Sequence, residues 1–378
     1  MSKITIIGAG IGGLTTAIAL QKEGFEVEIY EQASEMKALG AGILLANNAL
    51  QVFDKIGIGQ ELLKRGHRVS KLHIAKPDLM PMNTTNLLAF EQQYGVNNIT
   101  IHRGDLQKVL LQNLGNATLH LNKRLQSLEL LGNEVNLRFD DETQIAAEIV
   151  ILADGMRSVG RKALFGEVGM RKPKHVCWRG VAKYKLPNEM LHEFKELWGD
   201  GCRFGFSQIN ETDVYWTAKS KFDGALEKAS TKMLLNHYES FHPIVQTLIA
   251  NTEETQIHTA ELMDLKPLKK WCKGRVCLLG DAAHAMTPNM GQGASQSIED
   301  ALILAKCLKK YPIESAFEKY EAIRKQKVRK IVRTSWLLGM LGHVRGRITI
   351  KMRNILMSAI PKIYNNNQVK FVFKLPEV

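Results

Sequence analysis

Near its start the chain runs from a short apolar stretch, Ile4 to Ile7, through Gly8-Ala9-Gly10-Ile11-Gly12-Gly13 into a segment of helical spacing over Leu14 to Lys22. Gly24 ends that segment, and a second apolar stretch follows at Val27 to Tyr30. A strand, a glycine loop, a helix and a strand within about 30 residues make a βαβ unit. Gly8 permits the tight turn, Gly10 lets backbone N–H groups approach a pyrophosphate at the positive helix end, and Gly13 allows helix and strand to pack closely, with Gly12 in the same loop. Glu31 closes the second strand, with Gln32 beside it, where a carboxylate can accept hydrogen bonds from ribose hydroxyls. The unit therefore reads as a dinucleotide-binding loop, and its position alone does not separate FAD from NAD.

Two later stretches share this texture. Ile149 to Ala153 looks like a central strand and leads into Asp154-Gly155. Arg275 to Gly280 is another apolar strand, followed by Asp281-Ala282-Ala283-His284, Pro288 and Gly291-Gln292-Gly293, then a helix from about Ala294 to Leu308. A carboxylate at the end of a buried strand needs a polar partner. A sugar-alcohol hydroxyl would serve Asp281; the plainer reading makes it a helix cap. His284 reads as a hydrogen-bonded structural histidine in preference to a catalytic base.

Between these parts, from about Lys174 to Glu261, strand-like runs predict an antiparallel layer, with a hairpin turn at Asn210-Glu211-Thr212-Asp213. Trp178, Arg179, Phe204, Phe206, Tyr215 and Trp216 are its candidates for a substrate pocket, although aromatic residues on strands usually form core. Arg179 could pair with an anionic or carbonyl-bearing substrate. Cys177 beside it has no identifiable base.

The net charge of +13 is unevenly spread, because 13 basic and no acidic residues lie between Arg324 and Lys374. The rest of the chain is close to neutral, which argues against a diffuse nucleic-acid-binding body. With Trp336, Leu337, Leu338, Met340, Leu341, Ile355, Leu356 and Met357 among these bases, the tail has the composition of basic amphipathic helices. It reads first as a helical cap with a solvated basic face, and second as a peripheral contact with an anionic membrane. No run approaches the ~18 apolar residues of a membrane span. Five scattered cysteines without a CxxC pair indicate neither a disulfide framework nor a metal site, and the cytoplasm is the expected compartment.

Taken in order, GAGIGG from Gly8, Ala153-Asp154-Gly155, and GRVCLLGDAAHAMTPNMGQGASQSIEDALIL from Gly274 to Leu304 resemble the class A FAD-dependent aromatic hydroxylases. That family, with its para-hydroxybenzoate hydroxylase-like fold, includes salicylate and urate hydroxylases, the tetracycline-destroying monooxygenases and zeaxanthin epoxidase. The resemblance implies an α/β fold: a Rossmann-like (GR2-type) FAD-binding domain, an interleaved antiparallel-sheet substrate domain and a C-terminal helical segment. The expected FAD-binding parts are residues 1–70, 101–173 and 266–320; the substrate domain takes 71–100 and 174–265, and basic helices fill 321–378.

Carried over by residue, the resemblance makes Gly8, Gly10, Gly13 and Glu31 the ADP-binding elements, Asp281 the ribitol-binding aspartate and Arg103 the arginine that reaches FAD. Asp154 and Gly155 match the DG motif, which serves FAD and NAD(P)H, and Arg161 matches its trailing arginine. Pro288, Gly291, Gly293 and Ala294 would lie against the isoalloxazine ring. The implied chemistry is hydroxylation or epoxidation of a small planar, aromatic or polycyclic, substrate with NADPH or NADH and O2 through a flavin C4a-hydroperoxide, by a monomer or dimer. Two other readings of the same fold are an FAD-dependent reductase of an isoprenoid-type substrate and a non-catalytic lipid-binding protein. This chain departs from the family at Asn47-Asn48-Ala49, where many members have Pro-Asn-Ala, at Ser295 in place of asparagine, and at Gly160 in place of valine.

Overall fold

The computed structural model describes residues 3–37, 40–222 and 229–378. β1 (Lys3–Ile7), α1 (Ile11–Lys22) and β2 (Glu26–Tyr30) form the expected βαβ unit. Ile4, Ile6 and Ile7 are all buried, as a central parallel strand covered on both faces requires. β3 (Gly42–Leu45) leads into α2 (Asn47–Ile56), which Gly57 ends with a φ of 92°. α3 (Arg103–Gln112) and β4 (Ile149–Leu152) follow. β4 pairs in parallel with the free side of β1.

The antiparallel layer is built from β5 (His175–Lys183), β6 (Glu193–Trp198), β7 (Cys202–Gln208) and β8 (Asp213–Lys221). The Asn210 side chain accepts from the N–H groups of Thr212 and Asp213, which closes the β7–β8 turn where the sequence predicts it. β9 (Val276–Leu278) then returns the chain to the parallel sheet, and α4 (Gly293–Lys310), α5 (Ile313–Gly342), α6 (Arg347–Ser358) and α7 (Lys362–Phe373) complete it.

In the parallel sheet the order is Cys272–Lys273, β9, β4, β1, β2, Thr118–His120. The chain leaves β1 toward β2, and β4 lies on the other side, so β1 flanks a topological switch point whose crevice opens at the strand ends. α1 is buried from Gly13 to Leu20 because the sheet covers one side and α4 another. The second sheet runs His258–Glu261, β5, β8, β7, β6, Lys71–Ala75, Pro81–Asn86. Segment 71–86 therefore extends a sheet whose other strands come from a hundred residues later.

Strand alternation divides this second sheet into two faces. Val176, Trp178, Phe204, Phe206, Trp216 and Ala218 form one core with Tyr238, Phe241 and Leu248, on and beside the helices Thr231–His237 and Pro243–Ala250. Phe204 stacks on Trp216 at 5.5 Å, and the Trp216 indole N–H donates to Thr252 at 2.8 Å. Four of the six pocket candidates, Trp178, Phe204, Phe206 and Trp216, thus face away from the strand-end crevice. Their aromatic area is consumed in holding two helices to the sheet.

Candidate active site

The glycine loop is shaped by what a side chain would strike. A Cβ on Gly13 would lie 1.9 Å from the Gly8 carbonyl oxygen, and one on Gly8 would lie 2.5 Å from that of Ala153. These two glycines let α1 dock on β1 and β4. Gly10, the residue before α1, has nothing within 4 Å of its Cβ position, so the helix start opens onto free space there. First-turn N–H groups have no acceptor inside a helix, and the helix dipole makes that space favourable to an anion. Glu31 accepts from the Ala9 N–H at 2.7 Å and the Ala33 N–H at 2.9 Å, which fixes its carboxylate beside the loop. Gln32 is exposed.

At the far side of the crevice Gly280 turns the chain with a φ of 60°, and its missing side chain leaves room for Ser297 of α4, whose Oγ is 2.5 Å from the Cβ position. Gly12 meets the same Ser297 and Leu279. The starts of α1 and α4 are therefore brought together. Asp281 follows Gly280 without supplying a cap to its short helix, contrary to the plainer expectation. Its side chain is open to water from the crevice, yet enough protein surrounds it that burial raises its pKa against the pull of His284 and Arg103. Arg103, the first residue of α3, is also water-accessible; burial lowers its pKa, as does the charge of Arg179, while Asp281 and Tyr215 act the other way.

Asp154 uses one carboxylate oxygen to accept from the N–H groups of Val159 and Gly160 at 3.0 and 3.4 Å, and its other oxygen is buried with no partner among the described residues. Arg161 donates to the Met156 and Ala282 carbonyls at 2.7 and 2.9 Å, clamping the Asp154-Gly155 loop to the Asp281 loop. Gly160 is explained by Leu152, whose Cδ1 would lie 2.3 Å from a Cβ there. Asn47 uses the N–H that a proline would lack to bond Asn98 at 2.9 Å. Ser295, in the first turn of α4, has a buried hydroxyl with no partner among the described residues.

Behind these loops lies a dry charge network. Asp300 accepts from His284 at 2.6 Å, from the Gly280 N–H at 3.1 Å and from Arg324 at 2.7 Å. Glu299 takes both Arg324 and Lys327, and Asn48 at 3.0 Å. Arg324 also reaches the Gln296 amide oxygen at 2.7 Å. His284 is thus a structural group, and the network pins the start of α4 to α5 and α2.

On the crevice-facing side of the second sheet stand Cys177, Arg179 and Val181 of β5, Arg203, Gly205 and Ser207 of β7, and Tyr215, Thr217 and Lys219 of β8. Tyr215 packs so closely on β3 that its Cβ lies 2.4 Å from the Cβ position of Gly42. Arg179 lies by Cys177 and Tyr215, and its charge bears on Arg103, which in turn feels Asp281. Arg179, Tyr215, Arg103 and Asp281 thus join the sheet to the crevice. Burial pushes the Tyr215 phenol up to about 12, with both arginines opposing, so it stays an O–H donor at neutral pH.

Further along the same face Arg203 pairs with Asn289, in the Pro288–Met290 turn, and with Glu196, which also takes Lys219 at 2.7 Å. Asn289 donates in turn to the Ser335 carbonyl of α5 at 3.0 Å. His175 and His343 stack beside Arg203 with ring centroids 3.7 Å apart. Neither Asn289, Arg203 nor Glu196 stands out in the sequence; for Arg203 alone the alternation of polar with aromatic residues along β7 carries a signal.

The residues present fit a flavin adenine dinucleotide: an open helix start at Gly10, unused oxygens on Asp154 and Ser295, and an uncapped Asp281 beside Arg103. Comparison with known proteins agrees. A family model described as FAD binding domain matches residues 1–335. The chain is 32% identical to an aurachin C monooxygenase/isomerase of Stigmatella aurantiaca, over 94% of this chain and 93% of that protein. It is also 32% identical to a 2-heptyl-3-hydroxy-4(1H)-quinolone synthase of Pseudomonas aeruginosa, over 95% and 94% of the two chains. The crystal structure of Klebsiella pneumoniae HpxO complexed with FAD and uric acid superposes with a TM-score of 0.89 at 25% identity, covering 98% of this chain and 96% of that one.

Proposed function

The chain belongs to the FAD binding domain family and is an FAD-dependent monooxygenase, and from that premise we propose that it uses NAD(P)H and O2 to hydroxylate a planar nitrogen heterocycle bearing a carbonyl or enolate oxygen on its ring. The observation that carries the substrate class is the placement of Arg179 and the neutral Tyr215 on the sheet face that meets Arg103 and Asp281. A cation and an O–H donor held together suit a carbonyl or enolate oxygen. The quinolone and the uric acid in the names of the two relatives are ring-oxygenated nitrogen heterocycles of this kind. Neither the isoprenoid reductase nor the non-catalytic lipid binder finds support among the relatives.

In this reading the start of α1 and Gly10 hold the pyrophosphate, Glu31 the ribose hydroxyls, and Asp281 and Arg103 the ribityl chain. When bound, FAD supplies the electron transfer from NAD(P)H and the activation of O2. N–H groups at the start of α4 favour negative charge on the reduced ring system. Arg179 and Tyr215 hold the substrate oxygen, and the packed sheet face behind them keeps water out.

Arg179→Gln should raise KM for the turned-over heterocycle by about 10- to 100-fold, the cost of a lost charged hydrogen bond. Its flavin absorbance should match the wild type, and Arg179→Lys should recover part of the loss. An unchanged KM in Arg179→Gln would remove Arg179 from the substrate site.

A further inference from the structure

The outer surface of the C-terminal helices departs from an ordinary solvated cap. On α6, Met357 packs inward against Trp198 and Met82, and Arg353 donates to the Trp198 and Gly199 carbonyls at 3.1 and 3.0 Å. The opposite face carries Ile348, Met352, Ile355 and Leu356, which are 76%, 65%, 60% and 57% exposed. Their spacing of four, three and one places them in a single stripe along the helix. Leu337 and Met340 near the end of α5, and Ile363 and Tyr364 at the start of α7, add further exposed apolar side chains. Of the thirteen large hydrophobic residues exposed among the described residues, eight lie between Leu337 and Tyr364. Burial inside this chain explains none of the eight.

Exposed Arg345, Arg347, Lys351 and Lys362 alternate with the stripe along the chain, and no acidic residue lies between Arg324 and Lys374. Asp200, which accepts from the Gly346 N–H at 3.2 Å, offsets only part of this charge, so a second copy of the same face would bring two net positive patches together. Large aliphatic side chains ringed by cations match instead the boundary of a bilayer, where the former enter the acyl region and the latter meet phosphates. None of the described helices is long and apolar enough to cross a membrane, so the contact is peripheral.

We propose that α6, with the adjoining ends of α5 and α7, is a docking surface for an anionic lipid bilayer. The test is flotation of the FAD-loaded full chain with vesicles of phosphatidylcholine alone and of phosphatidylcholine in which one lipid in three is phosphatidylglycerol. Binding should be at least about tenfold tighter to the anionic vesicles and should weaken with salt. The triple variant Ile348→Ser, Met352→Ser, Ile355→Ser should lose about tenfold or more of that binding. Because all three side chains are exposed, its flavin spectrum and its NAD(P)H oxidation with a water-soluble substrate should be unchanged. Equal binding to both vesicle types, or a triple variant that binds as tightly as the parent, would overturn the proposal. So would concentration-dependent dimerisation that the triple variant abolishes while vesicles are ignored.

Discussion

Replacing Arg324 by methionine is expected to destabilise the protein by roughly 3–5 kcal/mol, the usual consequence of removing one partner from a buried charge set. Arg324, Glu299 and Asp300 are all completely buried, and the guanidinium bonds both carboxylates and Gln296. Without it Asp300 keeps only His284 and the Gly280 N–H, and Glu299 keeps Lys327 and Asn48. Thermal unfolding should move down by about 4–6 °C for a chain of this size. Flavin affinity should fall with it, since Asp300 holds the Gly280 N–H immediately before Asp281. Arg324→Lys should recover little, because an ammonium cannot present the planar fork that spans two carboxylates. A methionine variant with wild-type melting and flavin content would show that the network does not position the crevice.

Acid should weaken the fold well above the carboxylate range. Burial, Arg203 and Lys221 hold His175 down at about 4, while burial, Arg203 and His175 hold His343 down at about 2. Both are bases whose folded pKa lies below the unfolded value near 6.5, so their contribution is complete above that pH. As pH falls below 6.5 the unfolded chain takes up protons that the folded chain refuses. At pH 5 each histidine therefore costs about 2 kcal/mol relative to neutral pH, or about 4 kcal/mol for the pair. Glu196 adds nothing in this window: although burial raises it, Arg203 and Lys219 outweigh burial and hold it at about 2, so its contribution is lost only below about 4.5. Asp154, Asp264 and Asp281, raised by burial, work in the opposite sense, because the folded chain then takes up their protons before the unfolded chain does. Urea unfolding at pH 7 and pH 5 of the wild type and of a His175→Gln, His343→Gln variant isolates the effect. The difference in their pH slopes should amount to about 4 kcal/mol; parallel slopes would mean that the stacked pair already binds protons in the folded state.

The nucleotide-binding half was readable because its constraints are local. A Cβ on Gly13 collides with a carbonyl five residues back, so the loop, strand and helix are specified within one short stretch. Asp281 and His284 were legible as positions next to a strand end, but their different fates depend on Asp300 and Arg324, which lie 16 and more residues away. Of the six pocket candidates Arg179 and Tyr215 face the crevice while Trp178, Phe204, Phe206 and Trp216 do not, because an aromatic residue marks a strand without marking its inward face. In β7 and β8 the face toward the crevice belongs to Arg203, Tyr215, Thr217 and Lys219, and only the strand alternation could have separated them from Phe204, Phe206 and Trp216. The link from Arg203 to Asn289 spans 86 residues between two sheets and a turn, and no local pattern announces it. In the tail, composition shows the basic excess; which apolar residues remain outside is set by Met357 and Arg353 facing inward, which composition does not specify.

The most direct measurement is turnover of an oxygenated nitrogen heterocycle by the yellow, purified protein with NAD(P)H under ¹⁸O₂, followed by mass analysis of the product. The account predicts one labelled oxygen atom on a ring carbon of the product, with NAD(P)H oxidation accelerated by the compound that is labelled. A product that forms without O₂ consumption, or an oxygen atom derived from water, would contradict it.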